Sequence, residues 1–367
     1  MKILHLSSEK TWRGGEQQIA NLLRALQAQG VENYVACRTD SAFARYCQQH
    51  QIPHTELPFR GSYDRKTNFG LRQIVQDQNP DLMHLHTPRG HAQGVLAHKF
   101  GKLKLPMILS RRVDFVPKSR WFTRWKYNYA GIARVLTVSE LIGQIMQAYL
   151  REPKKVIAVH SGIDPSRFDT PPPHTYLRDT YGIDRHTPII GNTSALAPHK
   201  DYITFLDTAA ELTRQGLNAH YVIMGEGELR QELERHTAKL NLSNRVTFTG
   251  FLDNLGAVLP ELDVFLMTSE EEGLGTSILD AFAARVPVVA TAAGGIPEMV
   301  LDERTGLLAD VKKPMQLARQ IMRVLGDHDF AEALTTQAQA LLLEKFTYQQ
   351  TAKKTLQVYR EVLEDRA

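Results

Sequence analysis

Cysteine is nearly absent from this chain of 367 residues, which contains only Cys37 and Cys47. No metal-ligand spacing accompanies the pair, so the sequence predicts free thiols of a reducing compartment rather than a disulfide framework. Long apolar runs are also missing, and no stretch is long enough to cross a bilayer. The apolar start, Met1–Leu6, is too short for a signal peptide and predicts a first strand. A cytoplasmic protein is therefore expected.

Net charge is small, +4 at neutral pH. This balance does not favour a nucleic acid as the partner. Internal repeats and low-complexity segments are absent from the sequence. Hydrophobic residues make up 43% of the chain, so a protein of this length can form two domains, each with its own core.

Short apolar strands alternate with segments of helical period along the chain, which predicts parallel α/β sheets. The triplet Pro171–Pro173 suits neither a helix nor a central strand, so it predicts a linker. We predict a first domain of residues 1–168, a linker of 169–187, a second domain of 188–345 and a C-terminal helix of 346–367. A cleft between two such domains, lined by the carboxyl ends of strands, is expected to bind the ligand.

Twelve strands are predicted: 3–6, 34–37, 82–86, 107–110, 135–138, 156–160, 189–190, 221–224, 246–249, 264–267, 288–290 and 307–309. Helical stripes are predicted at Ile19 to Leu26 and at Phe205 to Ala209. A further stripe is predicted at Leu141, Ile145 and Tyr149.

The most informative segment is Ser269–Ser277, which lies between the apolar strand Val264–Met267 and an apolar helix. A strand, a glycine turn and a helix point backbone N–H groups and the positive helix end at one place. Glycine lets a phosphate approach the backbone closely. Glu272 and Asp280 flank the turn. Since carboxylates do not bind phosphate, we expect them to hold hydroxyl groups, and a nucleotide-sugar supplies both.

Four other glycine turns follow predicted strands. Gly14-Gly15-Glu16 opens the first helix, and Gly191–Ser194 precedes Lys200, which is predicted to start a helix and can reach diphosphate oxygens. Gly225–Gly227 and Gly294-Gly295 are similar turns. Each is also explained by an ordinary tight connection, and a single such turn is weak evidence.

His84 and His86 lie in one predicted strand with side chains on the same face. The alternation suggests a metal pair, but no third ligand is evident from the sequence. His86, at the carboxyl end of the strand, is better placed to hydrogen-bond a sugar hydroxyl or a phosphate. A histidine that is satisfied locally at a strand end is the competing interpretation.

Residues 99–129 form the basic, aromatic part of the chain. Such a mixture suits an anionic membrane surface or an anionic acceptor, while a solvated face of an amphipathic helix is the alternative. The residues predicted to face the acceptor or the membrane are Arg111, Arg112, Lys118, Arg120, Trp121, Arg124 and Trp125.

Taken in order, these motifs resemble the GT-B glycosyltransferases, specifically the retaining family 4 (glycosyl transferases group 1). The resemblance covers essentially the whole chain and is densest from Tyr221 to Asp310. It implies two Rossmann-like doubly wound domains facing a cleft, with the C-terminal helix crossing back to the N-terminal domain. The matching residues are Gly14–Glu16, Asp81–His86, Val138–Glu140, Ser161–Asp164, Phe168, Gly225–Gly227, Gly250-Phe251, Glu272–Gly275, Ala281–Ala283, Pro287–Val289, Gly294-Gly295, Glu298 and Gly306.

The resemblance also implies residue roles. Glu272 and His86 would contact the donor sugar as catalytic residues, and Asp280 would hold the ribose where the family has glutamate. The full donor-binding set is Gly14, Gly15, Asn192, Lys200, Gly225, Gly250, Phe251, Gly273, Leu274, Gly275, Thr276, Ser277 and Asp280. Ala195 stands where the family has a phosphate-binding arginine, and His199, Asn192 or a basic residue of the other domain is expected to compensate.

The predicted activity is transfer of a sugar from a nucleotide-diphosphate donor to an acceptor hydroxyl with retention of configuration. A UDP-sugar is favoured over a GDP-sugar, no cofactor is expected, and the lack of a D-x-D-like motif predicts a metal-free site. The acceptor is predicted to be an envelope glycan or a lipid-linked molecule, with contact to the inner face of the membrane left open. A nucleotide-sugar epimerase of GT-B fold and a non-catalytic nucleotide-sugar-binding protein are the alternatives.

Overall fold

The computed structural model describes residues 1–118, 120–169 and 175–365, so the proline triplet lies outside the described residues. The chain forms two compact units. The N-terminal unit combines Met1–Gly162 with Tyr348–Ala367, and the C-terminal unit is Ile163–Thr347.

In its described residues the N-terminal unit contains a seven-stranded parallel sheet of order β3-β2-β1-β4-β5-β6-β7. Its strands are β1 Lys2–Ser7, β2 Glu32–Arg38, β3 His54–Leu57, β4 Leu82–Leu85, β5 Met107–Arg111, β6 Ile132–Thr137 and β7 Val156–Ala158. Its first six helices are α1 Gly14–Ala28, α2 Ala42–Gln49, α3 Arg65–Gln78, α4 Pro88–Gly101, α5 Trp121–Tyr127 and α6 Glu140–Tyr149. The order of the strands reverses between β1 and β4, which is where such sheets bind ligands.

The C-terminal helix α14, Tyr348–Glu364, belongs to the N-terminal unit. Its buried stripe, which includes Leu356, Tyr359 and Val362, packs against Ile3 of β1 and Leu22 of α1 in one apolar cluster. The hydroxyl group of Tyr359 lies 2.6 Å from Nδ1 of His84. Burial of these side chains therefore fastens the end of the chain to its beginning.

The C-terminal unit contains a six-stranded parallel sheet of order β10-β9-β8-β11-β12-β13 in its described residues. Its strands are β8 Ile189–Thr193, β9 His220–Met224, β10 Val246–Gly250, β11 Val264–Met267, β12 Val288–Thr291 and β13 Leu307–Ala309. Its helices are α7 Tyr176–Tyr181, α8 Tyr202–Arg214, α9 Arg230–Lys239, α10 Leu255–Val258, α11 Thr276–Ala283, α12 Pro314–Gly326 and α13 His328–Lys345. Here the order reverses between β8 and β11.

The strands predicted from apolar runs are present, β11 and β13 with the predicted bounds and the others with ends that differ by one or more residues. The edge strand β3 was missed because His54–Leu57 is mostly polar. The predicted stripe of α6 is wrong by one position. Ile142 and Met146 are buried there, whereas Leu141 and Ile145 are only partly buried. Helix α7 lies within the segment predicted as a linker.

Both cysteines are free and buried in the N-terminal unit. A hydrogen bond with Cys47, together with burial, raises the pKa of Cys37. Across the parts of the chain that the structure describes, every helix is too short or too polar to span a bilayer.

Candidate active site

The glycine turn between β11 and α11 sits at the point where the sheet order of the C-terminal unit reverses. Gly275 is the N-cap residue of α11 and has a φ of +91°, a conformation that favours glycine. Leu274 is buried and anchors the turn, while Thr276 and Ser277 begin the helix and are partly exposed. The start of α11, like other helix N-termini, therefore presents backbone N–H groups close to the end of β11.

Glu272 forms an ion pair with Lys200, whose Nζ contacts Oε2 of the carboxylate. Both side chains are largely buried, with 13% and 15% of their surface exposed. The hydroxyl of Ser269 also lies 3.3 Å from Oε2. Lys200 closes a 3-10 turn, Pro198–Lys200, and α8 begins two residues later, so the lysine does not start a helix as predicted. The structure thus brings together two residues that the sequence predicted for the donor site.

Gly294 and Gly295 hold the backbone of Glu272. The amide of Gly295 donates a hydrogen bond of 2.8 Å to the carbonyl oxygen of Glu272. A Cβ added at Gly294 would lie only 2.0 Å from that oxygen, and Gly294 has a φ of +56°. This glycine is therefore required for the close approach that positions Glu272.

Asp280 lies inside α11 and is 9% exposed. Arg167, from the 3-10 turn Pro165–Phe168, places a guanidinium nitrogen 3.7 Å from Oδ1 of Asp280. Burial raises the pKa of Asp280 to about 6, although Arg167 opposes the shift. Oδ1 accepts no hydrogen bond from the described residues. The carboxylate consequently has an acceptor atom available for a hydroxyl group.

Arg167 was not predicted as a site residue. Arg167 directly precedes Phe168, the last residue of a motif noted in the sequence, but nothing in the sequence links it to Asp280, which lies far away in the chain. Ala195, which replaces the family arginine, is exposed in the loop after β8. Arg167 is a basic residue of the same unit that contacts a predicted donor-binding acid.

Other predicted donor residues of this unit have structural contacts. The amide of Asn192 donates to the carbonyl oxygen of Leu266 at 2.5 Å, and its oxygen accepts from Tyr202 at 3.0 Å. Gly225, the residue after β9, forms an isolated bridge with Gly250, the last residue of β10. A Cβ at Gly225 would lie 1.9 Å from the carbonyl oxygen of Ser194, so packing alone requires this glycine.

Phe251 is 74% exposed. It follows the Gly225–Gly250 bridge at the carboxyl end of β10, on the same edge of the sheet as the turn of α11.

In the N-terminal unit, Gly14 and Gly15 begin α1 with no side-chain cap from Arg13. A Cβ at either glycine would meet nothing within 4 Å. Local packing therefore does not explain these glycines, whereas close approach of a ligand to the backbone would. Glu16 is buried, and burial raises its pKa.

The buried residues His5, His84 and His86 lie together in this unit, and their hydrogen bonds to one another and to neighbouring side chains are called the histidine network below. His5 Nδ1 lies 3.0 Å from His86 Nε2, and His5 Nε2 lies 3.0 Å from the side-chain oxygen of Asn33. His84 contacts Tyr359 and, at 2.7 Å, the hydroxyl of Ser110. Burial lowers the pKa of His5 to about 4 and lowers those of His84 and His86 well below the usual value. All three are therefore neutral at pH 7.

The expectation that the histidine pair lacks a third ligand was wrong, because His5 completes a set. Ligand atoms of His5, His84 and His86 lie within 4.8 Å of one another. The pairing of β1 with β4, which places His5 opposite His84, explains the cluster. Neutral imidazoles can ligate a metal, but hydrogen bonds already account for every ring nitrogen of the set.

Arg112 covers the outer side of His86. Its guanidinium donates to the carbonyl oxygen of His86 at 3.0 Å and lies 3.3 Å from Nδ1. Burial lowers the pKa of Arg112 to about 10, which leaves it charged at neutral pH. Its Nε has no hydrogen-bond partner among the described residues. A fixed cation therefore lies at the carboxyl ends of β4 and β5.

The basic, aromatic segment divides between α4, β5 and α5. Arg111 is buried, where it contacts Tyr127 at 2.9 Å and the carbonyl oxygen of Phe115. Lys118, Arg120, Trp121 and Arg124 are exposed, and Trp125 is partly buried. Arg111 is therefore not available to a surface partner as predicted, whereas the four exposed residues and part of Trp125 are.

Two family profiles match the chain in succession. The profile described as Glycosyltransferase Family 4 matches residues 12–167, and the one described as Glycosyl transferases group 1 matches residues 175–341. The chain belongs to the family 4, group 1 glycosyltransferases.

Curated relatives of this glycosyltransferase differ in their described roles. The 2-deoxystreptamine glucosyltransferase of Streptomyces kanamyceticus is 31% identical over 65% of this chain, and the match spans only 63% of that protein. The lipopolysaccharide core biosynthesis glycosyltransferase LpsE of Rhizobium meliloti is 26% identical, and the match covers 98% of both chains.

Solved structures share the fold of this glycosyltransferase. HepE of Anabaena, crystallised with UDP and glucose, has a TM-score of 0.83 and 21% identity, with 98% of this chain and all of that chain (100%) covered. Sucrose-phosphate synthase of Thermosynechococcus elongatus has a TM-score of 0.79 and 17% identity, with 100% of each chain covered. Together with the two parallel sheets and helix α14, these similarities confirm the predicted GT-B fold.

Proposed function

We propose that this glycosyltransferase moves a sugar from a nucleotide-diphosphate-sugar to an acceptor hydroxyl with retention of anomeric configuration. The observation that carries the proposal is the pair of acids around the α11 turn. Glu272 is joined to Lys200, and Asp280 keeps a buried oxygen without a hydrogen-bond donor among the described residues. Such a set suits a ligand with phosphates, a ribose and a sugar.

Asp280 is proposed to accept hydrogen bonds from the ribose hydroxyls, because these supply the donors that its Oδ1 lacks. Arg167 lies 3.7 Å from that oxygen, and once the ribose is bound its guanidinium group can reorient towards a phosphate of the donor. This movement would compensate for the phosphate-binding arginine that Ala195 replaces. A UDP-sugar is favoured, and the HepE structures with UDP-glucose and with UDP support this choice.

Departure of the nucleotide diphosphate concentrates negative charge on the leaving oxygen. The backbone N–H groups of residues 273–277 and the ammonium group of Lys200 are proposed to stabilise this charge. Glu272 is proposed to contact the donor sugar and to hold Lys200 until the donor arrives. No metal is assigned to this step, and turnover is expected to persist in excess EDTA.

In the N-terminal unit, His86 is proposed to contact the donor sugar as a catalytic residue, and Arg112 is proposed to bind the acceptor. A hydroxyl group would replace His5 or Arg112 as a hydrogen-bond partner of the His86 ring. A neutral imidazole can accept or donate to a hydroxyl, and the charge of Arg112 suits an anionic acceptor. We propose an envelope glycan or a lipid-linked molecule. The match to LpsE, described as a lipopolysaccharide core biosynthesis enzyme, supports this class.

The test is a panel of UDP-, GDP- and ADP-sugars, with release of the nucleotide diphosphate as the signal and envelope glycan fractions as acceptors. Glu272→Ala should lower turnover by about a hundredfold, the scale for one group that stabilises the transition state. Glu271→Ala is the matched control, because this neighbouring glutamate is exposed.

The configuration of the product, followed by NMR from the first turnovers, decides between retention and inversion. A product of inverted configuration would overturn that part of the proposal. Formation of a new nucleotide-sugar without any acceptor would instead indicate an epimerase, which the family matches do not favour.

A further inference from the structure

A surface cavity of about 680 Å³ opens on the N-terminal unit beside α3, α4 and α5. Its walls are formed mainly by aromatic side chains: Tyr63, Phe69, Phe100, Trp121, Phe122 and Trp125. The glycine turn and the histidine network described above are not among the described residues that line it. The cavity is therefore separate from the candidate active site.

Four of these aromatic side chains face water to an unusual extent. Tyr63 is 67% exposed, Phe69 69%, Phe100 62% and Trp121 79%. Single exposed apolar residues are normal on a protein surface, but a contiguous group of large ones marks an interaction site. Folding of the unit does not explain the cluster, since these rings remain outside its core.

Helix α5 supports the same conclusion. None of its seven residues is fully buried, and only Trp125 and Tyr127 pack against the core of the unit. Its rings also pack against their aromatic neighbours, with Trp121 stacked on Trp125 and the ring centre of Phe122 4.9 Å from that of Tyr63. The aromatic wall is thus ordered by contacts among its own members.

Basic residues border the aromatic wall. Arg65, Arg72 and Lys99 line the cavity, and its described lining residues include no aspartate or glutamate. The ammonium group of Lys99 lies 4.9 Å from the centre of the Trp125 ring. Asp64, the nearest acid in sequence, caps α3 and accepts a hydrogen bond from Thr67, and it does not line the cavity.

Arg72 is independent evidence that this surface binds an anionic ligand. Its Nε is buried and has no hydrogen-bond partner among the described residues. A buried guanidinium N–H without an acceptor is unfavourable unless a ligand supplies one. Phosphate oxygens are acceptors that match this group.

We propose that this cavity and its basic border are the surface by which the protein binds an anionic phospholipid bilayer. The aromatic rings enter the interfacial layer, an acyl chain occupies the cavity, and Arg65, Arg72 and Lys99 bind lipid phosphates. Tryptophan and basic side chains suit this layer, because their apolar part can contact the lipid while their polar end stays in water. The inference deepens the proposed function, since it rests on a lipid-associated acceptor.

Sedimentation with vesicles tests the inference without donor or acceptor. Vesicles of phosphatidylcholine with phosphatidylglycerol should bind the full chain at low salt, and binding should weaken as salt rises. Vesicles of phosphatidylcholine alone should bind it much more weakly. A Trp12→Phe background leaves only the tryptophans of the cavity, so brominated lipids should quench the remaining fluorescence.

Exposed side chains are replaced to map the surface. The double variant Phe69→Ser, Phe100→Ser should weaken binding to the vesicles roughly tenfold or more, because two aromatic rings are no longer transferred from water into the bilayer. Arg65→Gln and Lys99→Gln should each weaken it about fivefold. Met315→Ser and Arg235→Gln are controls in the C-terminal unit, and both side chains are exposed.

The proposal is overturned if the wild-type chain stays unbound with phosphatidylglycerol at low salt. It is also overturned if cavity variants bind as the wild type does, or if the controls lose as much. Nucleotide release with a soluble acceptor fragment separates the two proposals. Normal release without vesicle binding rejects the membrane surface alone, whereas vesicle binding without release with any donor rejects the transferase proposal alone.

Discussion

The guanidinium of Arg167 lies 3.7 Å from the carboxylate of Asp280, inside the C-terminal unit. Burial nevertheless dominates over this pairing and raises the pKa of the acid to about 6. A buried carboxylate with a raised pKa, in the helix that follows a glycine turn, is typical of a ligand site. Removing the charge of Asp280 should therefore raise the stability of the unit and weaken donor binding.

Asp280→Asn should stabilise the C-terminal unit above pH 6 while it weakens donor binding. Because the folded pKa exceeds the unfolded value, the folded state binds more protons between about pH 4 and 6, and stability falls as pH rises through that range. The shift corresponds to at most roughly 3 kcal/mol. Scanning calorimetry from pH 4.5 to 7.5 should show a declining wild-type curve and a flatter variant curve. Equal slopes would reject the assignment.

Three neutral histidines should make the N-terminal unit sensitive to acid. Their folded pKa values lie below the unfolded value, so stability is present above about pH 6.5 and is lost as pH falls towards 4. For His5, with a pKa of about 4, the effect is about 3 kcal/mol. All three tryptophans, Trp12, Trp121 and Trp125, lie in this unit, so their fluorescence reports its melting. His5→Gln should reduce the slope, whereas the exposed control His186→Gln should not.

Gly294→Ala should displace Glu272. The new Cβ would overlap the carbonyl oxygen of Glu272, 2.0 Å away, and would be strained at a positive φ. We expect a loss of stability of about 1–3 kcal/mol and turnover lowered at least tenfold, since a small displacement of a catalytic group has large effects. Gly326→Ala, where a Cβ meets nothing within 4 Å, should leave nucleotide release unchanged. Normal release from Gly294→Ala would show that Glu272 needs no such support.

Lys200 and Glu272 should behave as a coupled pair. Lys200→Met leaves a largely buried carboxylate without its cation, so we expect destabilisation of about 1–3 kcal/mol and weaker binding of nucleoside diphosphates. The double variant Lys200→Met, Glu272→Gln should recover part of the stability but none of the turnover. Lys239→Met, at an exposed lysine of α9, is the control. Additive losses in denaturant melts would argue against coupling.

Local patterns predicted the parts that depend on neighbouring residues. The strand, turn and helix around Glu272 were predicted from the spacing of apolar residues and the positions of glycines. Both signals lie within a short stretch of sequence. The pairing of β1 with β4, which brings His5 to His84, depends on sheet order. The contact of Arg167 with Asp280 depends on tertiary packing between distant segments. Sequence reasoning missed both for that reason.

Strand β3 and helix α6 show two other limits. His54–Leu57 is an edge strand with polar residues, so it lacks the apolar run that marked the other strands. In α6, apolar residues occupy adjacent positions, and the stripe that faces the sheet starts at Ile142 rather than Leu141. Periodicity alone could not choose between these registers, because packing decides which face is buried.

Helix α14 has a consequence for how the protein is made. Its residues complete the apolar cluster that holds β1 and α1, although they are synthesised after the whole C-terminal unit. The N-terminal unit therefore cannot close its core until α14 has been made, whereas the C-terminal unit has all of its described strands available earlier. Nascent chains halted before Tyr348 would expose Ile3 and Leu22, and chaperones would have to shield them until α14 is made.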